Sequence, residues 1–174
     1  MNGDKTDKIY PEFLNQLAID LNIFYIMIDK RKFYINGTWI NPIIKNDFEV
    51  INPSNEQPYA FISLGSKEDV DLAVNVAKKA FIRWSQVDKK EKISLLENLL
   101  KIYKSRWDEI TQTMSEEMGA PLDWSSSAQT SSGSDHINDF ILRLKNFEFE
   151  KRFNKNSNNY IVYEPIGVCG LITP

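Results

Sequence analysis

The stretch EPIGVCGLITP, from Glu164 to Pro174, decides the expected fold class. Its residues from Ile166 to Ile172 are almost wholly apolar, which is typical of a central strand in a parallel sheet with both faces covered. Parallel strands require neighbours that are joined to them by crossover helices. No residues follow Pro174 to provide those neighbours, so we expect this sequence to stop at the first strand of its parallel sheet.

The composition is that of an ordinary globular protein of 174 residues, a length that suits one domain. Hydrophobic residues make up 42% and charged residues 26% of the chain, which excludes disordered and fibrous classes. A net charge of -3 argues against a nucleic-acid partner. The apolar run near the N-terminus is interrupted by Asp20 and Asn22, so no signal peptide or membrane partner is expected. A single cysteine leaves no internal disulfide and indicates a cytoplasmic location.

Local turn and capping signals predict hairpins and helices upstream of the apolar stretch. The sequence FYINGTWI predicts a hairpin, because Asn36-Gly37 suits the positive φ angles of a type I′ turn. Two more strands are expected in FEVINPSNEQPYAFISLG. A capping box over residues 66–69 opens a first helix. A second helical stretch begins at Asp88, and a cap within residues 105–108 divides it into two helices.

The second half of the sequence continues with one helix, a loop and a strand. Gly119 is expected to end the preceding helix, and a further helix is expected over residues 121–146. The serine-rich patch over residues 125–134 suits either a loop or a weak helix. A charged loop is expected over residues 148–159, followed by a strand over residues 160–163.

The residue types and their spacing in the sequence do not identify a set of catalytic side chains. Cys169 lies inside the apolar run without a neighbouring histidine or cation, so a buried structural thiol is favoured over a nucleophile. His136 is the only histidine, and such a residue is more often a surface or packing residue than a catalyst. Glu116 and Glu117 could supply a general base, but adjacent helical residues do not face each other and a solvated helix end is favoured. We therefore assign no catalytic and no metal-binding residue.

Four segments resemble, in the right order, the N-terminal part of an NAD(P)-dependent aldehyde dehydrogenase: KFYINGTWI, FEVINPSNEQPYAFISLGSKEDVDLAVNVAKKAFIRWS, EEMGAP and YEPIGVCGLITP. The resemblance covers residues 32–174 and leaves residues 1–31 as an extra N-terminal segment. Residues 1–26 are expected to lie outside the fold of this family, and Met27 is a candidate for the natural start of the protein. The implied fold class is α/β: N-terminal hairpin strands and helices, truncated at the first strand of a Rossmann-like cofactor domain.

The resemblance implies that the full-length enzyme oxidises an aldehyde to a carboxylate with NAD or NADP. In the family, a cysteine thiolate attacks the aldehyde, an asparagine helps to bind the oxyanion and a glutamate is the general base. These groups lie beyond the matched segment, so the 174-residue chain is expected to be inactive. Family residues that match Ile172, Thr173 and Pro174 line the cofactor cleft, and these three are the expected cofactor-binding residues.

The resemblance also bears on partners. The family segment that matches residues 160–164 belongs to an antiparallel arm that docks on another subunit, which implies a homodimer or homotetramer. Residues that match Glu117 lie near a monovalent cation site in some relatives, a role that we do not carry over. Two alternatives stay open: a non-catalytic module whose helices present a dimerisation or binding surface, and an acylating enzyme whose thioester acceptor is coenzyme A. The sequence names neither the aldehyde nor the choice between NAD and NADP.

Overall fold

The structure is a computed structural model that describes residues 27–172. Its elements, in chain order, are β1 Ile28–Lys30, β2 Phe33–Ile35, β3 Thr38–Ile40, β4 Asp47–Asn52, β5 Gln57–Ser63, α1 Lys67–Trp84, α2 Lys89–Ser105, α3 Trp107–Met118, α4 Leu122–Trp124, a π-helix Ser125–Thr130, α5 Ser131–Asn146, β6 Glu150–Arg152 and β7 Tyr160–Val162. The expected mixture of hairpin strands and helices is confirmed. None of the described helices is long and apolar enough to cross a membrane.

The N-terminal strands form a three-stranded sheet and a separate hairpin. The sheet has the order β1-β5-β4, with β1 parallel to β5 and β4 antiparallel to it. The hairpin pairs β2 with β3 around Asn36 and Gly37, whose φ angles of 54° and 77° confirm the predicted type I′ turn. Strand β1 lies within the segment assigned to residues 1–31, yet it pairs with β5. The boundary near Lys32 stays a prediction, and residues 1–26 lie outside the described residues.

Helix α1 begins with the predicted capping box. The Ser66 hydroxyl accepts a hydrogen bond from the Asp69 amide, and the Asp69 carboxylate accepts one from the Ser66 amide. The predicted division of the next helix is also confirmed, but its mechanism differs. The break between α2 and α3 lies at Arg106, and no side chain caps the start of α3. The Ser105 hydroxyl does not serve as the cap, because it donates a hydrogen bond back to the Ile102 carbonyl at 2.8 Å. Gly119 ends α3 at φ 70°, as expected.

One prediction about the second half is confirmed and another is corrected. The helix expected over residues 121–146 is present from Leu122 to Asn146, and of the two alternatives for the serine-rich patch the helical one holds, as a π-helix over residues 125–130 that continues directly into α5. The predicted loop over residues 148–159 contains strand β6, which pairs with β7 from Glu150↔Val162 to Arg152↔Tyr160. A charged strand such as β6 has no apolar alternation of its own, so it forms only because β7 lies beside it.

The prediction of a central strand over residues 166–172 is wrong for the described chain. No strand is present there, and Ile166, Leu171 and Ile172 are 96%, 92% and 98% exposed. A strand is stabilised by hydrogen bonds to neighbouring strands, and none of the described strands pairs with this run. The apolar pattern therefore indicates what the run would bury, while its partners are missing from the described residues.

Candidate functional site

The three expected cofactor-binding residues lie at the end of this exposed run. Ile172 has almost its whole surface open to solvent, and Thr173 and Pro174 lie outside the described residues. Gly167, five residues before Ile172, has a φ of +132°, a conformation that favours glycine. The described residues therefore do not enclose a dinucleotide around Ile172.

Cys169 is exposed, which contradicts the prediction of a buried thiol for this chain. Its sulfur has one polar neighbour, the Gly167 carbonyl oxygen at 3.9 Å. No described histidine or carboxylate forms a hydrogen bond with it, so the geometry does not supply the base that a nucleophilic thiol requires. His136, on α5, is exposed as well. Within residues 27–172, no three histidine, cysteine or acidic side chains come together in a way that could hold a metal ion.

The acidic end of α3 packs over a buried tyrosine. Tyr59 on β5 is 6% exposed, and its pKa is raised to about 12 by burial first and then by the carboxylates of Glu116 and Glu117. Glu116 is half-buried and accepts a hydrogen bond from the Gln112 side chain at 2.6 Å, whereas Glu117 is exposed. The expectation of a solvated helix end is therefore met at Glu117 but not at Glu116. The tyrosine keeps its proton at neutral pH, so its hydroxyl can donate a hydrogen bond as well as accept one there.

Asp69 joins the start of α1 to the segment that follows the hairpin. Its carboxylate is 3% exposed and accepts hydrogen bonds from the Ile43 amide at 2.9 Å and from the Ser66 amide and hydroxyl at 2.9 and 2.8 Å. The pKa of Asp69 is lowered, first by the Ile43 amide and then by the Ser66 amide. This carboxylate thereby ties the segment between β3 and β4 to the start of α1.

The interface between the π-helix and the neighbouring helices is polar. The Tyr103 hydroxyl donates to the Thr130 carbonyl at 3.0 Å, and the hydroxyls of Thr111 and Thr130 lie 2.9 Å apart. The Trp107 indole nitrogen donates to the Ser126 hydroxyl at 3.0 Å. A π-helix leaves backbone carbonyls outside the regular α-helical ladder, and side chains of α2 and α3 satisfy part of this requirement.

None of these sites pairs a nucleophile with a base, and the hydrogen bonds of Asp69 and Tyr103 hold backbone in place. The described residues therefore form a scaffold. Residues 39–174 match the model of the Aldehyde dehydrogenase family, which is more than three quarters of the chain. This chain belongs to the aldehyde dehydrogenase family.

The aldehyde dehydrogenase relatives agree in both sequence and backbone. The chain is 42% identical over 149 residues to a 3-succinoylsemialdehyde-pyridine dehydrogenase from a Pseudomonas species, covering 85% of this chain and 31% of that protein. The crystal structure of an aldehyde dehydrogenase from Bartonella henselae superimposes with a TM-score of 0.74 at 45% identity, covering 76% of this chain and 28% of that one. A mutant of aldehyde dehydrogenase C from Pseudomonas syringae, complexed with NAD+ and octanal, superimposes with a TM-score of 0.69 at 29% identity. That match covers 71% of this chain and 26% of the Pseudomonas chain.

This aldehyde dehydrogenase chain thus spans less than a third of the length of the relatives that it matches. Because the chain covers so little of these relatives, its described residues form a scaffold without a reacting centre. The resemblance inferred from the four sequence segments is confirmed, as is the assignment of the chain to the N-terminal portion of the family fold.

Sequence reasoning missed the residues that organise this scaffold. The pattern of β5 identifies Tyr59 as an inward residue, but nothing local places Glu116 above it, because the two are 57 positions apart. The capping box identifies Asp69, yet its bond to Ile43 spans 26 positions. A buried acidic residue that already caps a helix can accept further hydrogen bonds, and this spare capacity is the signal that could have pointed to a second partner.

Proposed function

We propose that the whole protein oxidises an aldehyde to a carboxylate with NAD or NADP, and that this chain is its N-terminal scaffold. The observation that carries the proposal is the agreement of sequence and backbone with the Bartonella henselae aldehyde dehydrogenase, at 45% identity over 76% of this chain. Support for the cofactor comes from relatives whose structures contain NAD+, including the Pseudomonas syringae enzyme. Support for the substrate class comes from the family itself.

In this proposal the run over residues 166–172 becomes the first strand of the cofactor domain. Ile172, Thr173 and Pro174 then lie at the carboxyl end of that strand, which is where open α/β sheets bind their ligands. Their contribution is to border the cofactor, partly through backbone atoms. None of the 174 residues is assigned a role in bond making or breaking, and the isolated chain is expected to oxidise no aldehyde.

The proposed protein is a cytoplasmic homodimer or homotetramer. Strands β6 and β7 form a two-stranded antiparallel hairpin, and such a ribbon has two free edges that another subunit can extend. Tyr160 and Val162 on β7 are exposed, so the ribbon also offers apolar side chains to a partner. The single cysteine of this chain agrees with a reducing compartment.

A chimeric enzyme tests this proposal. Residues 39–174 would replace the matching segment of the Pseudomonas 3-succinoylsemialdehyde-pyridine dehydrogenase, and aldehyde-dependent NADH formation would be followed by absorbance. We expect a kcat within about tenfold of that of the parent enzyme, because the exchanged segment positions the cofactor but supplies no reacting side chain. The 174-residue chain alone, assayed beside it, should give no more NADH than buffer.

Two controls make the result decisive. The parent enzyme defines full activity, and a chimera in which the parent's nucleophilic cysteine is replaced defines the background. Circular dichroism and gel filtration establish that the chimera is folded and has the parent's subunit number. A folded chimera of that size without aldehyde-dependent NADH formation would contradict the proposal.

A further inference from the structure

The two residues at the tip of the β2–β3 hairpin bring a reactive side chain next to a free backbone nitrogen. Asn36 is followed by Gly37, both are exposed, and no described residue accepts a hydrogen bond from the Gly37 amide. The side-chain amide carbon of an asparagine is electrophilic, and the backbone nitrogen of the next residue can attack it to close a five-membered ring. Glycine favours this attack because it has no Cβ atom, and apart from the chain neighbours nothing lies within 4 Å of where a Cβ would stand at Gly37.

The turn between β4 and β5 provides a comparison within the same chain. Asn55 is also exposed, and it is followed by Glu56, whose φ of 58° is left-handed as well. There, however, the Glu56 amide donates to the Asn52 carbonyl at 2.8 Å, and the Asn55 side-chain oxygen accepts a hydrogen bond from the Gln57 amide at 3.0 Å. The attacking nitrogen and the attacked amide are therefore both held at Asn55, whereas no hydrogen bond to a described residue holds either group at Asn36.

The type I′ turn prevents this ring from closing while the hairpin is intact. Asn36 has a φ of 54°, and a type I′ turn sets the ψ of its first central residue at about 30°. At that ψ the Gly37 nitrogen and the Asn36 Cβ are nearly anti about the Cα–C bond, whereas a five-membered ring requires them to be nearly eclipsed. Asn36 must therefore leave its left-handed conformation before the nitrogen can reach the side chain, so the turn has to open first.

The hairpin is short enough to open without unfolding of the helices. Each strand has three residues, Phe33–Ile35 and Thr38–Ile40, and the pair forms a two-stranded sheet of its own. A two-stranded hairpin is marginally stable by itself. The exposed rings of Tyr34 and Trp39 lie opposite each other with their centroids 5.2 Å apart, and such a cross-strand aromatic pair holds two strands together. This pair therefore controls how often the turn opens.

We propose that Asn36 is a modification site that deamidates through a succinimide, at a rate set by opening of the β2–β3 hairpin. The Gly37 nitrogen forms a bond to the Asn36 side-chain carbon, and the side-chain nitrogen leaves as ammonia with the proton that the Gly37 nitrogen gives up. A water molecule then opens the ring at either carbonyl, which leaves aspartate or isoaspartate at residue 36. Isoaspartate adds a carbon to the main chain of a two-residue loop and so disrupts the register of β2 and β3. This inference does not depend on the proposed enzymatic function.

Peptide mapping of the purified 174-residue chain by mass spectrometry tests the site. The chain would be incubated at neutral pH, and conversion of amide to acid would be followed over time at each asparagine. We expect Asn36 to deamidate at least about tenfold faster than Asn55, because glycine follows it and its attacking nitrogen is free. Asn2-Gly3, the other Asn-Gly pair of the sequence, is the internal reference for the chemistry of the dipeptide.

Two variants test the control by the hairpin. Trp39→Ala and Tyr34→Ala each remove the aromatic pair, and each should raise the rate at Asn36 at least about threefold, with unchanged helical circular dichroism and an unchanged rate at Asn2. In urea, which removes the hairpin, the natural chain and both variants should react at Asn36 at one rate. The proposal would be overturned if Asn36 reacted no faster than Asn55 or if neither variant raised its rate. An equal acceleration in urea would also overturn it, because the substitutions would then act without the hairpin.

Discussion

The Tyr103 hydroxyl donates a hydrogen bond to the Thr130 carbonyl across the interface between α2 and the π-helix, at 3.0 Å. The approach of the tyrosine is possible because Gly133 lies beneath it: a Cβ atom at that position would overlap with the Tyr103 hydroxyl. The pKa of Tyr103 is raised by burial, so the phenol is held as a donor. One tyrosine, one glycine and one widened helical turn therefore form a single unit.

Gly133→Ala should destabilise the chain, against the usual trend. Replacing a helical glycine by alanine normally stabilises a helix by about 1 kcal/mol. Here the added methyl group displaces Tyr103, and we expect the free energy of unfolding to fall by about 1 to 3 kcal/mol. Urea denaturation measures the change, and Ser132→Ala, on an exposed neighbour in α5, is the matched control. Equal stability of the two variants would show that the helix tolerates a side chain at residue 133.

Asp69→Asn should lower the midpoint of thermal unfolding at neutral pH by several degrees, because the carboxylate accepts three hydrogen bonds. The folded state favours its charged form, so the pKa of Asp69 lies below its usual value. The stabilisation is fully present above the unfolded pKa, about 3.9, and is lost as pH falls through the folded pKa. The difference from the wild type should therefore shrink below about pH 4. Asp71→Asn, which removes an exposed ion pair with Lys67, should show little effect at either pH.

Tyr59→Phe should make the chain less sensitive to alkaline conditions. The pKa of Tyr59 is raised to about 12, so folding favours the neutral phenol. That contribution is present below the unfolded pKa of about 10 and is lost as pH rises from about 10 towards 12. Spectrophotometric titration of tyrosine should lose its latest step in this variant but keep it in Tyr34→Phe, on the exposed hairpin. A titration curve of Tyr59→Phe that keeps this step would show that another tyrosine carries it and would contradict the prediction.

Cys169→Ser should leave catalysis nearly intact in the chimeric enzyme. No described base lies beside the thiol, so it has no role in bond making. In the complete fold the run is expected to be shielded, and a serine hydroxyl without a partner there should lower stability by roughly 1 to 3 kcal/mol. Steady-state kinetics and urea denaturation of the same preparation separate the two effects. Loss of kcat in a well-folded variant would make Cys169 part of the active site.

The features predicted from sequence are those with local causes. Asn36-Gly37 determines its turn through backbone freedom, and the Ser66–Asp69 box is closed by groups within one helical turn. The missed features depend on distant partners. Strand β6 is charged throughout and is defined only by β7, and the π-helix over residues 125–130 depends on side chains from α2 and α3.

In the run over residues 166–172, the dependence on distant partners led to a predicted strand that is not present. Its apolar pattern predicts a covered strand, but a strand is a property of a sheet, and the described residues provide no neighbour for this one. The expected contacts of Ile172, Thr173 and Pro174 with a cofactor stay predictions for the same reason. A cleft at a strand end exists only when the adjacent strands are present.

Hydrogen exchange in the chimeric enzyme tests most directly whether this run is the first strand of the cofactor domain. The peptide that covers residues 164–174 would be followed by mass spectrometry in the folded chimera. Our account predicts that the amides from Val168 to Leu171 exchange at least about a thousandfold more slowly than in an unstructured peptide, as expected for a central strand. Exchange at the unstructured rate in an intact chimera would contradict it.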